Sequence, residues 1–221
     1  MFVFKKLISS FFKPILMGCL LALSLQAQSA NPLGVTVTIL PLKSMVEDIG
    51  GEHVKVNVMV PPGMHPRAFE PTPKKMALLE SSAIYISMGI PHEKNWVEQV
   101  KATRPDMTII NMIDYVETIQ RNGGNKIDPH IWLGPQQLRK MAQHLTDTLI
   151  KLDPKHKSDF IQNSQAWVAR LDAVDKDAKK RLAPYKGRAF LVFHPAYGYL
   201  AEAYGLRQVS IEKKAWHLDQ E

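Results

Sequence analysis

VTVTILPLKSMVEDIGGEHVKVNVMV, residues 35–60, decides the fold. Val35 to Leu40 alternates apolar and polar positions and is rich in β-branched residues, which predicts a strand. Pro41 ends it, Leu42 to Ile49 has helical spacing, and Gly50-Gly51 supplies the stop that helix C-termini favour. Val54 to Val60 then alternates again. Strand, helix and strand in that order form the unit from which parallel α/β sheets are built.

The alternation continues outward from this unit. Thr72-Pro73 gives an N-cap with proline at the first helical position, ahead of Lys74 to Ser81. Ala83 to Met88 reads as a third strand, Glu93 to Lys101 as a helix, Met107 to Ile113 as a fourth strand, and Arg121 to Asn125 as a flexible loop. Pro135 opens a helix in which Leu138, Met141, Leu145 and Leu149 recur at three and four residues, so one face is core. Asp153-Pro154 ends it. A second helical pattern runs from Lys155 to Leu182, with Phe160, Trp167, Leu171, Val174, Ala178 and Leu182 along one stripe. At 1.5 Å per residue it spans roughly 42 Å, long enough to tie two lobes together. Ala189 to Phe193, Ala196 to Tyr204 and Leu206 to Ile211 read as strand, helix and strand of a second unit.

The expected fold class is therefore α/β, with two lobes of parallel sheet flanked by helices and joined by one long backbone helix, the second lobe incomplete. The expected divisions are a signal peptide over 1–29, an N-terminal lobe over 30–154, a linking helix over 155–184 and a partial C-terminal lobe over 185–221.

The signal assignment rests on Lys5, Lys6 and Lys13 ahead of the apolar run Ile15 to Leu25, which ends in small and polar residues up to Ala30. The run is too short to favour a membrane span. Export to the periplasm through the inner membrane follows. Cys19, the only cysteine, lies inside this segment, and Leu16-Met17-Gly18-Cys19 only faintly resembles a lipoprotein box, so the mature chain has no disulfide and no thiolate metal site. Removing the segment takes the 28 basic residues to 25 against 21 acidic ones, and they are scattered. No nucleic-acid partner is indicated. A monomer is expected.

Histidines carry the chemistry. His130, in Asp128-Pro129-His130, and His194, in Phe193-His194-Pro195, each follow a strand or loop and precede a helix start. His65 sits in the loop Pro61-Pro62-Gly63-Met64-His65-Pro66 after another strand. Such positions converge where strands end, and three imidazoles meeting there suit zinc. Asp128 is read either as an acceptor for an imidazole N–H or as a cap of the following turn. Trp132, Tyr197 and Tyr199 either line the cleft or pack the core, and Thr72 caps its helix beside Glu70. His53 and His92 are expected to be exposed, and His144 to lie on the solvent side of the Pro135 helix.

With these motifs goes a resemblance. Pro61-Pro62-Gly63, Phe69-Glu70-Pro71-Thr72-Pro73, Asp128-Pro129-His130-Ile131-Trp132-Leu133 and Phe193-His194-Pro195-Ala196-Tyr197-Gly198-Tyr199 occur in the order found in the solute-binding proteins of zinc and manganese ABC transporters, which the chain resembles from about residue 34 to Glu212. The resemblance implies a metal held in the cleft between two lobes by one His from each of three motifs and a further ligand, usually a carboxylate, from the last quarter. It implies no enzyme. The expected function is capture of Zn(II), as transported ligand rather than resident cofactor, by His65, His130 and His194, and its delivery to a cognate ABC-transporter membrane permease. Imidazole at 194, where manganese-selective members carry a carboxylate, favours zinc.

Two departures qualify the likeness. The family's first His falls on Arg67, whose guanidinium cannot ligate, so His65 two residues earlier is either the replacement or a loop histidine. After Ile211-Glu212 the chain reads Lys213 to Glu221 where similar proteins continue through a Gly-Lys-Glu-Pro-like segment, which suggests a frameshifted or truncated gene or a fragment, with His217 and Asp219 as solvated tail residues. Missing strands would leave sheet edges and apolar surface open and lower stability. The alternatives are Mn(II), a non-metal anionic solute paired with Arg67, or a zinc-dependent hydrolase, the last lacking a His-Glu-x-x-His helix or a nucleophile elbow.

Overall fold

The computed structural model describes residues 31–64, 66–120 and 125–211, with the Arg67 side chain excepted. The expected signal peptide, most of the 121–125 loop and the tail with His217 and Asp219 lie outside the described residues.

Four strands, β1 (Leu33–Val37), β2 (Val54–Val58), β3 (Ile84–Ser87) and β4 (Thr108–Asn111), form one parallel sheet in the order β2-β1-β3-β4. Val37 pairs with Val58 on one side and Ile86 on the other, and Ile86 pairs with Ile110. Both faces are covered, as parallel sheets require, and Val35, Val37, Ile84 and Ile86 are wholly buried. The crossover helices are α1 (Leu40–Gly50), α2 (Pro73–Glu80) and α3 (Glu93–Thr103). Strand β1 stops three residues short of the alternating pattern, because Pro41 serves in the first turn of α1 rather than as a spacer. Thr72 caps α2 as expected, its hydroxyl accepting from the Lys75 amide.

Helices α4 (Pro135–Leu152) and α5 (Lys157–Leu182) follow. Met141, Leu145 and Leu149 of α4 are buried to completion. Along α5 the expected apolar stripe holds at Phe160 and fails at Val174, which is 65% exposed. The adjacent Asp175 turns inward instead, accepting from Arg139 at 2.7 Å, Lys179 at 2.9 Å and the Tyr204 hydroxyl at 3.2 Å. Burial opposes ionisation of Asp175, yet the hydrogen bonds from Arg139 and Lys179 prevail and hold its carboxyl below the usual range. A buried carboxylate so paired is far less costly than an unpaired one.

A second parallel pair, β5 (Ala189–Val192) with β6 (Arg207–Ser210), is connected by α6 (Gly198–Tyr204), which ends on left-handed Gly205. Leu191, Phe193 and Ile211 are 67%, 71% and 61% exposed. Among the described residues no helix is long and apolar enough to cross a membrane.

Candidate metal centre

The order β2-β1-β3-β4 reverses direction between β1 and β3, and open α/β sheets bind ligands outside the carboxyl ends of their strands at such a point. Ile39 after β1, Val60 after β2 and Met88 after β3 line a cleft of about 340 Å³ there, together with Trp132, His130 and His194.

The loop at 128–130 builds the first imidazole from local chemistry. Asp128 is 2% exposed, and its Oδ1 accepts from the His130 amide at 3.0 Å and from the His130 ring Nδ1 at 2.6 Å. It is thus both turn cap and imidazole acceptor, the two readings that sequence left open. A carboxylate only accepts, so Nδ1 carries the proton and the lone pair is left on Nε2. Three-ten turn Ile131–Leu133 and α4 follow at once and fix the loop. Trp132 meets the His130 ring edge-on at 5.2 Å.

His194 enters from the other sheet, two residues past β5. Its Nε2 stands 3.2 Å from Nε2 of His130, with the ring planes at 78°. With the His130 nitrogen as acceptor, the His194 Nε2–H donates. Two nitrogens at Zn–N distances of about 2.05 Å and a tetrahedral angle lie about 3.3 Å apart, so the observed separation matches one shared ion.

Of the three histidines expected to meet, the structure brings these two together. His65 lies outside the described residues, while its neighbours Met64 and Pro66 line the same cleft. Among the described residues no group of three or more His, Cys, Asp or Glu side chains is gathered for a metal. The aromatic residues divide. Trp132 lines the cleft, Tyr197 is 40% exposed, and Tyr199 is buried with its hydroxyl 2.7 Å from the Asp128 carbonyl, which it donates to. Burial pushes the Tyr199 hydroxyl up to about 12, so it stays protonated.

Other histidines correct the sequence reading. His92 is exposed as expected, but His53 is not: its ring stacks on His156 at 3.8 Å and its Nε2 bonds to Asp159 at 2.9 Å. His144 is half-buried rather than solvent-facing, stacked on Tyr115 at 3.4 Å, with Nε2 buried and without a hydrogen-bond partner.

One residue that organises the cleft wall escaped sequence reading. Glu93, 2% exposed at the start of α3, accepts from the amides of Met88, Gly89 and Ile90 at 3.0, 2.7 and 2.8 Å, and from the hydroxyls of Ser87, Tyr85 and Thr38. It ties down the loop that presents Met88 and Ile90 to the cleft. The available signal was an acidic residue in a helix's first turn just after a strand, which by itself says only that the helix begins.

Comparison with known proteins places the chain in a family. Residues 35–219 match the family profile ZnuA, described as zinc-uptake complex component A, periplasmic. The zinc-binding lipoprotein AdcA of Streptococcus pneumoniae serotype 4 is 28% identical over 207 residues, covering 87% of this chain and 41% of that protein. The high-affinity zinc uptake system protein ZnuA of Bacillus subtilis is 26% identical over 196 residues, covering 82% of this chain and 61% of that protein. The chain thus spans about two fifths to three fifths of these relatives' lengths. A crystal structure of a zinc-bound ZnuA deletion mutant superposes with a TM-score of 0.77 at 32% identity, covering 86% of this chain and 75% of that one.

Proposed function

The chain belongs to the ZnuA family of zinc-uptake complex periplasmic components, and from that membership we propose that it captures Zn(II) between His130 and His194 and hands it to the permease of an ABC transporter. The observation that carries the reading is the 3.2 Å between the two Nε2 atoms. Asp128 fixes the His130 tautomer so that its lone pair faces the other ring, and moving the His194 proton off Nε2 leaves both nitrogens of this hydrogen-bonded pair free for one ion.

His65 is the proposed third ligand. It follows Met64, which lines the cleft, and an imidazole there completes a nitrogen-rich set suited to zinc over manganese. The zinc-binding names of AdcA and ZnuA support the same choice of ion. The four-stranded and two-stranded sheets are read as two lobes, residues 30–154 and 185–221, with α5 joining them. Work outside the inner membrane, after removal of residues 1–29, fits the periplasmic description of the family and the lysine-flanked apolar run of the sequence. The reading makes the protein a carrier and not an enzyme, in keeping with the names of its relatives, zinc-binding for AdcA and zinc uptake for ZnuA.

The test is calorimetric zinc titration of the wild type, His130→Ala, His194→Ala and His65→Ala, with metal analysis of each purified protein. The expected result is one ion per wild-type chain and loss of binding by orders of magnitude in the first two variants. Wild-type protein without zinc affinity, or His130→Ala and His194→Ala variants that bind as well as it does, overturns the proposal.

A further inference from the structure

Helix α6 begins four residues after His194, and its first turn presses on the loop that holds His130. Gly198 makes the approach. A Cβ built there would lie 2.7 Å from Oδ2 of Asp128 and 2.9 Å from the Ile119 side chain, so only a residue without one brings the helix this close. Next to it, Tyr199 is 2% exposed, and its Cβ lies 2.9 Å from where a Cβ on Gly134 would stand, ahead of α4. The Tyr199 hydroxyl donates to the Asp128 carbonyl at 2.7 Å and accepts from the Ile119 amide at 3.3 Å.

Asp128 is therefore gripped at both ends. Its carbonyl is bound by Tyr199, five residues from His194, and its carboxylate binds the ring and amide of His130. Metal coordination tolerates only about 0.2 Å in each bond, so two imidazoles carried on different sheets need their spacing fixed by something rigid between them. The path His194, α6, Tyr199, Asp128, His130 is such a link, and it is short. We infer that Tyr199, seated by Gly198, is a positioning residue that sets the His130–His194 separation through the main chain of Asp128. This rests on the capture of metal by that histidine pair.

Ordinary core packing would also bury a tyrosine, so the test reads metal geometry as well as stability. Tyr199→Phe keeps the ring and removes the hydroxyl. Its zinc affinity is expected to fall roughly 10–100-fold, the usual effect of losing a residue that orients a ligand, with a thermal midpoint within a few degrees of wild type. The visible absorption of the Co(II)-loaded variant should lose intensity relative to wild type as the tetrahedral set distorts. The effect should shrink in an Asp128→Asn background, because the two substitutions break successive links of one path to His130. Gly198→Ala, which keeps the hydroxyl but pushes on the Asp128 carboxylate, should weaken zinc binding likewise and stands in if Tyr199→Phe does not fold. Zinc affinity and cobalt spectrum of Tyr199→Phe equal to wild type, or losses from Tyr199→Phe and Asp128→Asn that add in full, overturn this inference alone. Wild-type protein that binds no zinc overturns the capture reading and this one with it.

Discussion

Asp128 and His130 are joined twice, by a 2.6 Å bond from the ring Nδ1 and a 3.0 Å bond from the His130 amide, both to the same carboxylate oxygen. In the proposed capture of zinc, the charge of that oxygen would strengthen His130 as a donor, and its position sets the ring's rotation. Asp128→Asn keeps the shape but removes the charge and offers an amide in place of one acceptor. Zinc affinity is expected to fall roughly 10–100-fold, measured by competition with a chromophoric chelator at fixed pH. An affinity within twofold of wild type would show that the charge of Asp128 adds nothing to metal binding.

Glu93 is expected to matter for stability more than any residue of the cleft. Its replacement by Ala takes the acceptor from the buried Met88 amide and the half-buried Ile90 amide, while the Gly89 amide keeps the Ser87 hydroxyl and that hydroxyl keeps Asn111. At about 1–3 kcal/mol for each group left unpaired, a loss of at least ~2 kcal/mol follows. Urea denaturation measures it; a loss under about 1 kcal/mol would mean that water enters and satisfies these groups.

The element order was legible in the sequence because it is written locally. Alternation in Val54 to Val60, the cap at Thr72 and the periodic Met141, Leu145 and Leu149 each depend on neighbours within a few residues, and each element stands where expected. His130 and His194 were legible as candidates through their strand-end positions, but their meeting at 3.2 Å depends on packing between residues 64 apart. What was hidden is long-range polar satisfaction. Asp175 interrupts an apolar stripe because Arg139 and Tyr204 reach it from α4 and α6, and Glu93 is buried because it has three amides to serve. Periodicity sees the hydrophobic face of a helix and is blind to a charged residue whose partners lie on other elements. The same blindness misplaced His53 and His144, whose stacking partners are distant in sequence.

The β5–β6 pair predicts a handling property. The parallel register Leu191 to Val209 places Leu191, Phe193 and Ile211 on one face, and all three are more than 60% exposed. An exposed patch of this kind favours self-association. The double substitution Leu191→Ser with Phe193→Ser removes little buried area, so the unfolding free energy should change by no more than about 0.5 kcal/mol per site. Sedimentation of concentrated wild type should show more association than the variant. Equal behaviour of the two would mean that the face is covered in solution.

His144 supplies a pH dependence whose sign follows from its surroundings. Burial holds its imidazole below the usual range, the Lys151 charge adds to this, and Asp147 opposes it only in part. In the unfolded chain the same imidazole takes up a proton near pH ~6.5, while in the folded protein it resists until lower pH. Below about pH 6.5 the unfolded state therefore binds more protons, and this residue's effect is to make stability rise with pH through that window and level off above it. His144→Phe removes both the titration and the buried Nε2 that lacks a partner, while an aromatic ring remains to stack on Tyr115. The variant should be at least as stable as wild type at pH 7.5, by up to about 1 kcal/mol, since an unpaired buried polar atom is a cost. Its advantage should widen at pH 5.5, where the wild type loses stability to protonation of the unfolded chain. Urea denaturation of both proteins at the two pH values decides the matter, and an advantage that stays constant or narrows in acid would mean that water reaches Nε2 and that the imidazole titrates as freely in the fold as outside it.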